Sequence, residues 1–162
     1  MTQSTQMRVV QPAQRRRGEL RVPGDKSITH RAYILGAIGS GDSRFHRPGI
    51  GADTRATASV ISAMGVTHHI SHNELVVQGR GLAGLTEPED VLDCGNSGTT
   101  MRLMAGLLAG QPFHSFLTGD ASLRSRPMGR VIEPLTDMGA DVHGRAGDTL
   151  APIALAPSKL SG

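Results

Sequence analysis

The sequence predicts an α/β fold, with α+β character, built from repeated β-α-β-α-β-β units. Stretches with helical periodicity alternate along the chain with short runs of β-forming residues. The order of these elements, with pieces of the sequence itself, returns after about 70 to 78 residues, as in proteins assembled from repeats. The 162 residues suffice for one domain with a buried core, and three Phe, one Tyr and no Trp make that core aliphatic.

Four stripes of apolar residues predict four helices. In each stripe the residues recur three and four positions apart, which places them on one helix face. The clearer stripes are Thr57, Val60, Ile61 and Met64; Thr100, Leu103, Met104, Leu107 and Leu108; and Met128, Val131, Ile132 and Leu135. The weaker stripe is Ile28, Ala32, Leu35 and Gly39. We expect each stripe to be buried.

Short runs rich in β-branched and aromatic residues predict the strands. They lie near residues 19–22, 43–46, 66–70, 75–78, 113–118, 141–143 and 152–155, with a further strand at 7–10. Glycine and proline between these runs mark the turns.

Matching segments divide the chain into two units. The matches are 26–31 with 96–102, 62–66 with 136–140, and 77–84 with 155–162. We therefore predict an N-terminal arm and strand at 1–17 and a partial domain at 18–162, with unit one at about 18–90 and unit two at about 91–162. Such a unit cannot bury both of its helix faces alone, and residues 158–162 do not resemble a terminal cap. We expect further copies in the complete protein.

The charge and the cysteine content limit the classes of binding partner and the cellular compartment. The net charge of +3 and the pI of 9.7 favour anionic partners. The basic residues are scattered apart from 15–17, and aromatic residues that stack on bases are nearly absent, which disfavours nucleic acid. No apolar run approaches membrane-spanning length. The single cysteine, Cys94, is typical of a reducing compartment, so we predict a cytoplasmic protein. Together with the charge pattern and the short apolar runs, this predicts a protein that binds neither nucleic acid nor membrane.

Two glycine-bearing turns precede matching helices: GDKSITHR at 24–31 and GNSGTTMR at 95–102. A helix N-terminus offers unpaired amides and partial positive charge, and glycine lets an anion approach the backbone. Ser27 and Ser97 are candidates to cap the helices or to donate to a ligand, and each segment ends in an arginine above the first helical turn. The alternative interpretation is that the serines are ordinary N-caps and the arginines ordinary surface residues.

A third basic segment, SLRSRPMGR at 122–130, precedes another predicted helix. Pro127 is typical of the first helical position and favours extended backbone at Arg126. Arg126 would then reach outward from the start of that helix. Spacing alone is equally consistent with a solvated charge.

Three other patterns belong to different classes of protein. Residues 79–84 fit the G-x-G-x-x-G of dinucleotide-binding proteins, but proline and acidic residues follow instead of a helix. Ser97 with Asp141 and His143 would make a hydrolase triad, but a threonine stands where the nucleophile elbow has its last glycine. Three histidines within 68–72 fall where a strand turns into a hairpin, which disfavours a metal site.

Three segments in order resemble those that line the substrate cleft of the EPSP synthase family. They are GDKSITHR at 24–31, LDCGNSGTTMRLMAGLLAG at 92–110 and LTGDASLRSRPMGR at 117–130. The resemblance covers nearly the whole chain from Gly18 onward. The sister family, the UDP-N-acetylglucosamine enolpyruvyl transferases, usually carries Lys-Asn at the place of Lys26-Ser27 and uses a loop cysteine that Cys94 does not match. The resemblance therefore favours the shikimate branch.

The resemblance implies the enolpyruvyl transferase fold, in which each of two domains contains three β-α-β-α-β-β units. This chain would hold two units of the first domain, and residues 7–11 would add a strand to the other. The implied reaction transfers the enolpyruvyl group of phosphoenolpyruvate to the 5-hydroxyl of shikimate 3-phosphate, releasing phosphate, in aromatic amino acid (chorismate) biosynthesis.

The same resemblance implies that no metal or organic cofactor takes part. The implied partners are the two substrates and the C-terminal remainder of the enzyme, without which this chain is inactive. Two alternatives stay open: a non-catalytic fragment that binds shikimate 3-phosphate, and a protein like the UDP-N-acetylglucosamine enolpyruvyl transferases.

Matched motif by motif, the resemblance also implies residue roles. The implied contacts are Lys26, Ser27 and Arg31 for shikimate 3-phosphate, and Lys26, Gly98 and Arg126 for phosphoenolpyruvate. The implied supporting residues are Asn96, Thr99 and Arg102. Lys26 is the one strong catalytic candidate, because the family's other acid and base groups come largely from the C-terminal domain. Gly98 keeps the small residue associated with binding glyphosate, so we expect the complete enzyme to be sensitive to that inhibitor.

Overall fold

The computed structural model describes residues 9, 11–12, 15 and 17–161, so most of the predicted strand at 7–10 and of the arm at 1–17 lies outside the described residues. The helices are α1 (Lys26–Ile38), α2 (Ala52–Ala63), α3 (Gly98–Leu108), α4 (Ala121–Arg124), α5 (Gly129–Asp137) and the irregular turn α6 (Arg145–Asp148). The strands are β1 (Ser40–His46), β2 (Thr67–Ser71), β3 (Glu74–Arg80), β4 (Leu92–Asp93), β5 (Ser115–Thr118), β6 (Asp141–Gly144) and β7 (Leu150–Ala156). No described helix is long and apolar enough to cross a membrane.

The two sheets share one strand order. The first sheet is antiparallel and runs β1-β3-β2. The second runs β4-β5-β7-β6, so its last three strands repeat that order while β4 adds a parallel strand beside β5. Apart from the short α4 and α6, the second half of the chain follows the predicted β-α-β-α-β-β order. The predicted α/β class is confirmed.

The strand predicted at residues 19–22 is wrong. These residues join no described sheet, and Leu20 and Val22 are 85% and 63% exposed. A strand is stabilised by the neighbour with which it pairs. Among the described strands, β1 pairs only with β3, so the first half has no counterpart of β4. β-Propensity identifies the residue types of a strand but does not supply its partner.

The helices pack on the sheets around one aliphatic core. α1 contacts β1 and β3, α3 contacts β5 and β7, and a contact between α2 and α3 joins the two halves. The fully buried side chains include Ile61, Met64, Leu75, Met104 and Leu108. Burial of each such side chain contributes roughly 1.5–3 kcal/mol. Because the buried residues of both halves belong to one continuous cluster, the halves stabilise each other.

The predicted helix faces are confirmed for α2, α3 and α5. All four stripe residues of the α2 segment are buried. In α3, Leu103 and Leu107 are half-buried and the rest of the stripe is buried. In the α5 segment, Val131 and Leu135 are half-buried and the other two stripe residues are buried.

The predicted face of α1 is wrong at its two large residues, although Ala32 is buried and Gly39 half-buried. Ile28 and Leu35 are 68% and 60% exposed. The buried face is instead made of Thr29, His30, Ala32, Tyr33, Gly36 and Ala37. These residues include small ones that let α1 approach the sheet closely: a Cβ added to Gly36 would lie 2.9 Å from the Cβ of Val77. Close packing therefore outweighs side-chain hydrophobicity in orienting this helix.

In both halves a pair of glycines lets two backbone segments cross at the start of a helix. A Cβ added to Gly49 would lie 2.3 Å from the carbonyl oxygen of Gly24, and one added to Gly119 would lie 2.5 Å from that of Gly95. Each crossing brings the segment that enters α1 or α3 against the segment that follows β1 or β5. A side chain at Gly49 or Gly119 would require the backbone to move.

Candidate functional site

The first turn, residues 24–31, is capped by an aspartate. Asp25 is the N-cap of α1, and its carboxylate accepts a hydrogen bond from the amide of Ile28 at 2.7 Å. Ser27, predicted to cap or donate, is not the cap; it is an exposed residue in the first turn of the helix. Thr29 Oγ1 donates to the Asp25 carbonyl at 2.7 Å and accepts from the amide of Gly49 at 2.8 Å. Because Asp25 caps the helix, Ser27 has no capping role and is exposed to solvent.

Lys26 forms an ion pair in the first turn. Its Nζ lies 2.8 Å from Oδ2 of Asp53, at the start of α2, and its side chain is 59% exposed. Arg31 donates from Nη1 to the carbonyl of Ser27 at 3.0 Å, as the spacing within one helix allows. Asp53 was not among the predicted site residues because nothing in its local sequence points to Lys26. Exposed pairs of this kind contribute little to stability, so Lys26 can exchange its partner for a ligand anion.

The second turn, residues 95–102, is capped by a serine, as predicted. Ser97 Oγ accepts from the amide of Thr100 at 3.1 Å, and Ser97 is 1% exposed. Gly95 adopts a positive φ of 56° and donates its amide to Oδ1 of Asp93 at 2.8 Å. α3 begins at Gly98, and the amides of Gly98 and Thr99, at its first two positions, have no acceptor within the helix.

Two guanidinium groups lie beside Gly98. A Cβ added to Gly98 would lie 2.5 Å from Nη1 of Arg102 and 3.4 Å from Nη1 of Arg126. Arg102 donates from Nη2 to the carbonyl of Pro127 at 3.1 Å. Within the described part of the chain, neither arginine pairs with a carboxylate. Both positive charges thus face the amide end of α3.

The electrostatics of Arg102 show how concentrated this charge is. Burial lowers the pKa of Arg102, and the nearby Arg130 and Arg126 lower it further. Its Nε is buried with no hydrogen-bond partner among the described residues. Arg130 was not among the predicted site residues, although it ends the third basic segment. An anion bound at this end of α3 would relieve the mutual repulsion of these arginines.

Asn96 fixes the position of Arg126. The Asn96 side chain accepts from Nη2 of Arg126, and its carbonyl accepts from Nη1 at 3.3 Å. Its Nδ2 donates to Asp120 at 2.6 Å, and this bond, followed by that from the Leu123 amide, lowers the pKa of Asp120. Thr99, predicted to support the same turn, is half-buried. Asn96 and Asp120 therefore hold the guanidinium beside the turn.

The predicted position of Pro127 is wrong. α5 begins at Gly129, two residues later, because Pro127 forms an isolated bridge with Leu150 and Met128 precedes the helix. Arg126 lies in the link between α4 and α5, and its amide donates to the carbonyl of Leu123 at 3.0 Å. Arg126 still reaches the second turn, but from this link and not from a helix start.

A chain of buried polar groups joins the two turns. His30 Nδ1 lies 2.6 Å from Oγ1 of Thr57, which lies 2.7 Å from Oγ1 of Thr100. Thr100 Oγ1 lies 2.7 Å from Oγ of Ser97, the cap of the second turn. α2 thus connects the helix of the first turn to the helix of the second.

The structure does not assemble the hydrolase triad. The hydrogen bonds of Ser97 Oγ go to Thr100, while His143 contacts Asp141 at 3.1 Å and Asp148 at 3.7 Å. Cys94 is fully buried, and burial, followed by the charge of Asp93, raises the pKa of its thiol to about 12. The thiol is therefore not a nucleophile at neutral pH.

Sequence comparison places the chain beside a family of transferases. The family model described as EPSP synthase (3-phosphoshikimate 1-carboxyvinyltransferase) matches residues 10–162. The chain is 55% identical over 153 residues to the 3-phosphoshikimate 1-carboxyvinyltransferase of Geotalea uraniireducens, covering 94% of this chain and 36% of the relative. It is 54% identical over 149 residues to that of Chloroflexus aurantiacus, covering 91% of this chain and 34% of the relative. The chain thus spans about a third of the length of these curated relatives.

Structural comparison gives the same result. The EPSP synthase from Acinetobacter baumannii matches with a TM-score of 0.85 at 39% sequence identity. The match covers 90% of this chain and 33% of that structure.

Proposed function

The chain belongs to the EPSP synthase family, and on that premise we propose that it is the N-terminal portion of an enzyme that transfers the enolpyruvyl group of phosphoenolpyruvate to the 5-hydroxyl of shikimate 3-phosphate and releases phosphate. The enzyme then serves aromatic amino acid biosynthesis in the cytoplasm. The relatives support this proposal through their names and through the third of their length that the chain matches. Turnover requires the C-terminal remainder.

The arrangement at Gly98 is the observation that carries the proposal. Two guanidinium groups without a described carboxylate partner lie beside the first amides of α3. A helix N-terminus and paired arginines both favour a small anion that carries phosphate and carboxylate groups. We assign phosphoenolpyruvate to Gly98 and Arg126, with Asn96, Thr99 and Arg102 shaping the turn.

The first turn suits the second substrate. Lys26, Ser27 and Arg31 lie at the exposed start of α1 and can reach one bound molecule. We assign shikimate 3-phosphate to them. Lys26 would contact both substrates. Its partner Asp53 lies at the start of α2, and the carbonyl of Asp53 accepts a hydrogen bond from Thr100 in α3, so Lys26 is linked through Asp53 to the helix of the second turn.

The reaction explains the number of cations. The two substrates together carry about four anionic groups, whose repulsion must be offset before they can approach. Protonation of the enol methylene then accompanies attack of the 5-hydroxyl on the adjacent carbon, and the resulting tetrahedral ketal expels phosphate. Lys26 is the proposed catalytic residue of this chain, and the remaining acid and base groups belong to the C-terminal remainder.

The burial of Cys94 weighs against the UDP-N-acetylglucosamine branch. The enzymes of that branch use a loop cysteine, whereas the Cys94 thiol is enclosed and its pKa is raised to about 12. A fragment that binds shikimate 3-phosphate without turnover is the second candidate, and the exposed cluster of Lys26, Ser27 and Arg31 favours it.

A reconstitution assay tests the proposal. The chain is mixed with both substrates, alone and then with the C-terminal two-thirds of the Geotalea uraniireducens relative, and released phosphate is measured. We expect release only in the mixture. The chain contains two lysines, so Lys26→Met should abolish this activity, whereas Lys159→Met is the matched control and should retain it. Release by the chain alone, or full activity of the Lys26→Met mixture, contradicts the proposal.

A further inference from the structure

We propose that four buried polar residues, His30, Thr57, Thr100 and Ser97, form a relay that sets the position of the first turn relative to the second. In the proposed reaction they are positioning residues: they touch no substrate and act through the residues that do. This inference rests on the proposed function and extends it to side chains in the interior of the fold.

The relay crosses three helices without a break. Its successive contacts are 2.6 Å from His30 to Thr57, 2.7 Å from Thr57 to Thr100 and 2.7 Å from Thr100 to Ser97. All four residues are at most 1% exposed, and the surrounding core is aliphatic. Contacts of this length in a place without bulk solvent have narrow geometric limits. A shift of one helix along another would break them.

Both ends of the relay lie next to proposed substrate contacts. His30 directly precedes Arg31 and lies one helical turn after Lys26 on α1. Ser97 directly precedes Gly98 and accepts the amide of Thr100. Thr100 itself separates Gly98 from Arg102 on α3. Movement of either end therefore moves groups that face the ligands.

A second connection runs beside the first. Thr100 Oγ1 also lies 3.2 Å from the carbonyl of Asp53, so its one hydrogen is shared between this longer contact and the bond to Ser97. The carboxylate of Asp53 lies 2.8 Å from Nζ of Lys26. Asp53 and Thr57 are one turn apart on α2, so both connections use the same face of that helix. α2 thus ties Lys26 as well as His30 to the start of α3.

The relay requires a neutral imidazole. Each hydroxyl has one hydrogen, and Thr100 Oγ1 donates to Ser97 Oγ, so Thr57 donates to Thr100 and His30 Nδ1–H donates to Thr57. In this order Nε2 is unprotonated, and it is buried with no partner among the described residues. A doubly protonated ring would add an N–H with no acceptor there. The relay is therefore defined by one tautomer.

Stability alone gives a weak reason for such a chain. Replacement of buried hydrogen-bonded groups by apolar groups of the same shape is often nearly neutral or stabilising. An apolar set at these positions would pack equally well but would leave the helices freer to slide. The hydroxyls fix one arrangement, which is what two ligand sites that must act together need.

The test separates positioning from packing by changing only the hydroxyl of Thr57. Thr57→Val keeps the shape and loses the hydroxyl, whereas Thr57→Ser keeps the hydroxyl. Binding of phosphoenolpyruvate and of shikimate 3-phosphate is measured on the isotope-labelled chain mixed with the unlabelled C-terminal two-thirds of the Geotalea uraniireducens relative. The readout is the backbone amide shifts at Gly98 and Ser27, at a temperature where every variant is folded. We expect Thr57→Val to weaken both affinities about tenfold and Thr57→Ser to restore them to about twofold of the parent.

The outcomes distinguish the relay from the function on which it rests. If Thr57→Val lowers the melting temperature but binds both compounds as the parent does, the relay is structural only and the inference is overturned. If the mixture that contains the parent chain binds neither compound, the proposed function is overturned and the positioning role with it. If Thr57→Val does not fold, the nitrogen shifts of His30 in the parent decide: one fixed neutral tautomer at pH 7 supports the relay, and exchange between tautomers overturns it.

Discussion

In the first turn a lysine is paired with a carboxylate, whereas in the second turn two arginines face a helix end with no described carboxylate beside them. Lys26 and Asp53 are both partly exposed. Arg102 and Arg126 converge on Gly98, and burial lowers the pKa of Arg102. The two turns occupy corresponding places in a repeated unit but differ in charge balance and in solvent access.

The difference shows that a repeat of backbone does not impose a repeat of electrostatics. A ligand at the first turn must compete with Asp53 for Lys26, and it gains a flexible cation in return. A ligand at the second turn meets donors that Asn96 and Pro127 already hold in place. The first turn is thus adaptable and the second preorganised.

The largest expected effect is that of Gly98→Ala. The new Cβ would lie 2.5 Å from Nη1 of Arg102, so the guanidinium must leave its place beside the helix end. We expect the affinity for phosphoenolpyruvate to fall about a hundredfold while that for shikimate 3-phosphate changes about twofold or less. Titration followed by amide shifts measures both constants.

Gly106→Ala is the matched control for that substitution. Gly106 lies in the same helix, and a Cβ there meets nothing within 4 Å. It should leave both affinities unchanged and stabilise the chain by about 0.5–1 kcal/mol. Equal losses of both affinities in Gly98→Ala would remove the distinction between the turns.

The next prediction compares the stability lost when each of the two helix caps is removed. Ser97→Ala removes a buried hydroxyl that caps α3 and bonds Thr100, so we expect it to cost about 2 kcal/mol of unfolding free energy. Asp25→Ala removes an exposed cap of α1 and should cost about 1 kcal/mol. Urea unfolding measures both values. An equal or reversed order would contradict the view that the second turn is the more rigid.

A smaller effect concerns pH and His30. Burial lowers the pKa of His30; Lys26 and Arg31 add to the decrease and Asp53 opposes it. The folded state then excludes a proton that the unfolded chain binds, so stability should fall as the pH drops below about 6.5. Unfolding in urea at several values between about pH 5 and pH 8 gives the slope of the unfolding free energy against pH.

Two histidine variants show which residues cause the dependence of the unfolding free energy on pH. Burial lowers the pKa of His68 as well, with His69 adding to the decrease. His30→Gln and His68→Gln should therefore each flatten the slope in part. If the His30→Gln chain keeps the full pH dependence, the buried end of the relay does not exclude the proton.

The smallest effect is that of Asp53→Asn in the first turn. The pair with Lys26 is partly exposed, so its loss should change stability by less than about 0.5 kcal/mol. The freed lysine should bind inorganic phosphate about twofold more tightly, since a competing charge is gone. Phosphate titration by NMR measures this, with Asp42→Asn, an exposed aspartate without an ion pair among the described residues, as the control. Weaker phosphate binding would show that Asp53 orients Lys26 for its ligand.

Local patterns predicted what local physics determines. The α2 and α3 stripes, the cap at Ser97 and the two glycine turns follow from periodicity and capping within a few residues. The orientation of α1 and the absence of a strand at 19–22 depend on neighbours that the pattern does not contain. β4, of two residues, is too short to leave a pattern.

The contacts that complete the site are long-range. Lys26 meets Asp53, Thr57 meets Thr100, and Arg126 meets Asn96 across wide gaps in sequence. No single-sequence pattern pairs such residues, which is why Asp53 and the relay were not predicted. The division at residue 18 and near 90 and the roles of the site residues stay predictions.

The paired glycine crossings have a consequence for how this protein can change. At Gly24, Gly49 and Gly119 an added Cβ would lie within 2.5 Å of a backbone carbonyl oxygen, whereas Gly95, the partner of Gly119, is restricted only by its positive φ of 56°. Saturation mutagenesis should therefore find Gly49 and Gly119 almost as intolerant as the ligand contacts, although neither is proposed to touch a substrate. A tolerance map read without the structure would mistake them for active-site residues.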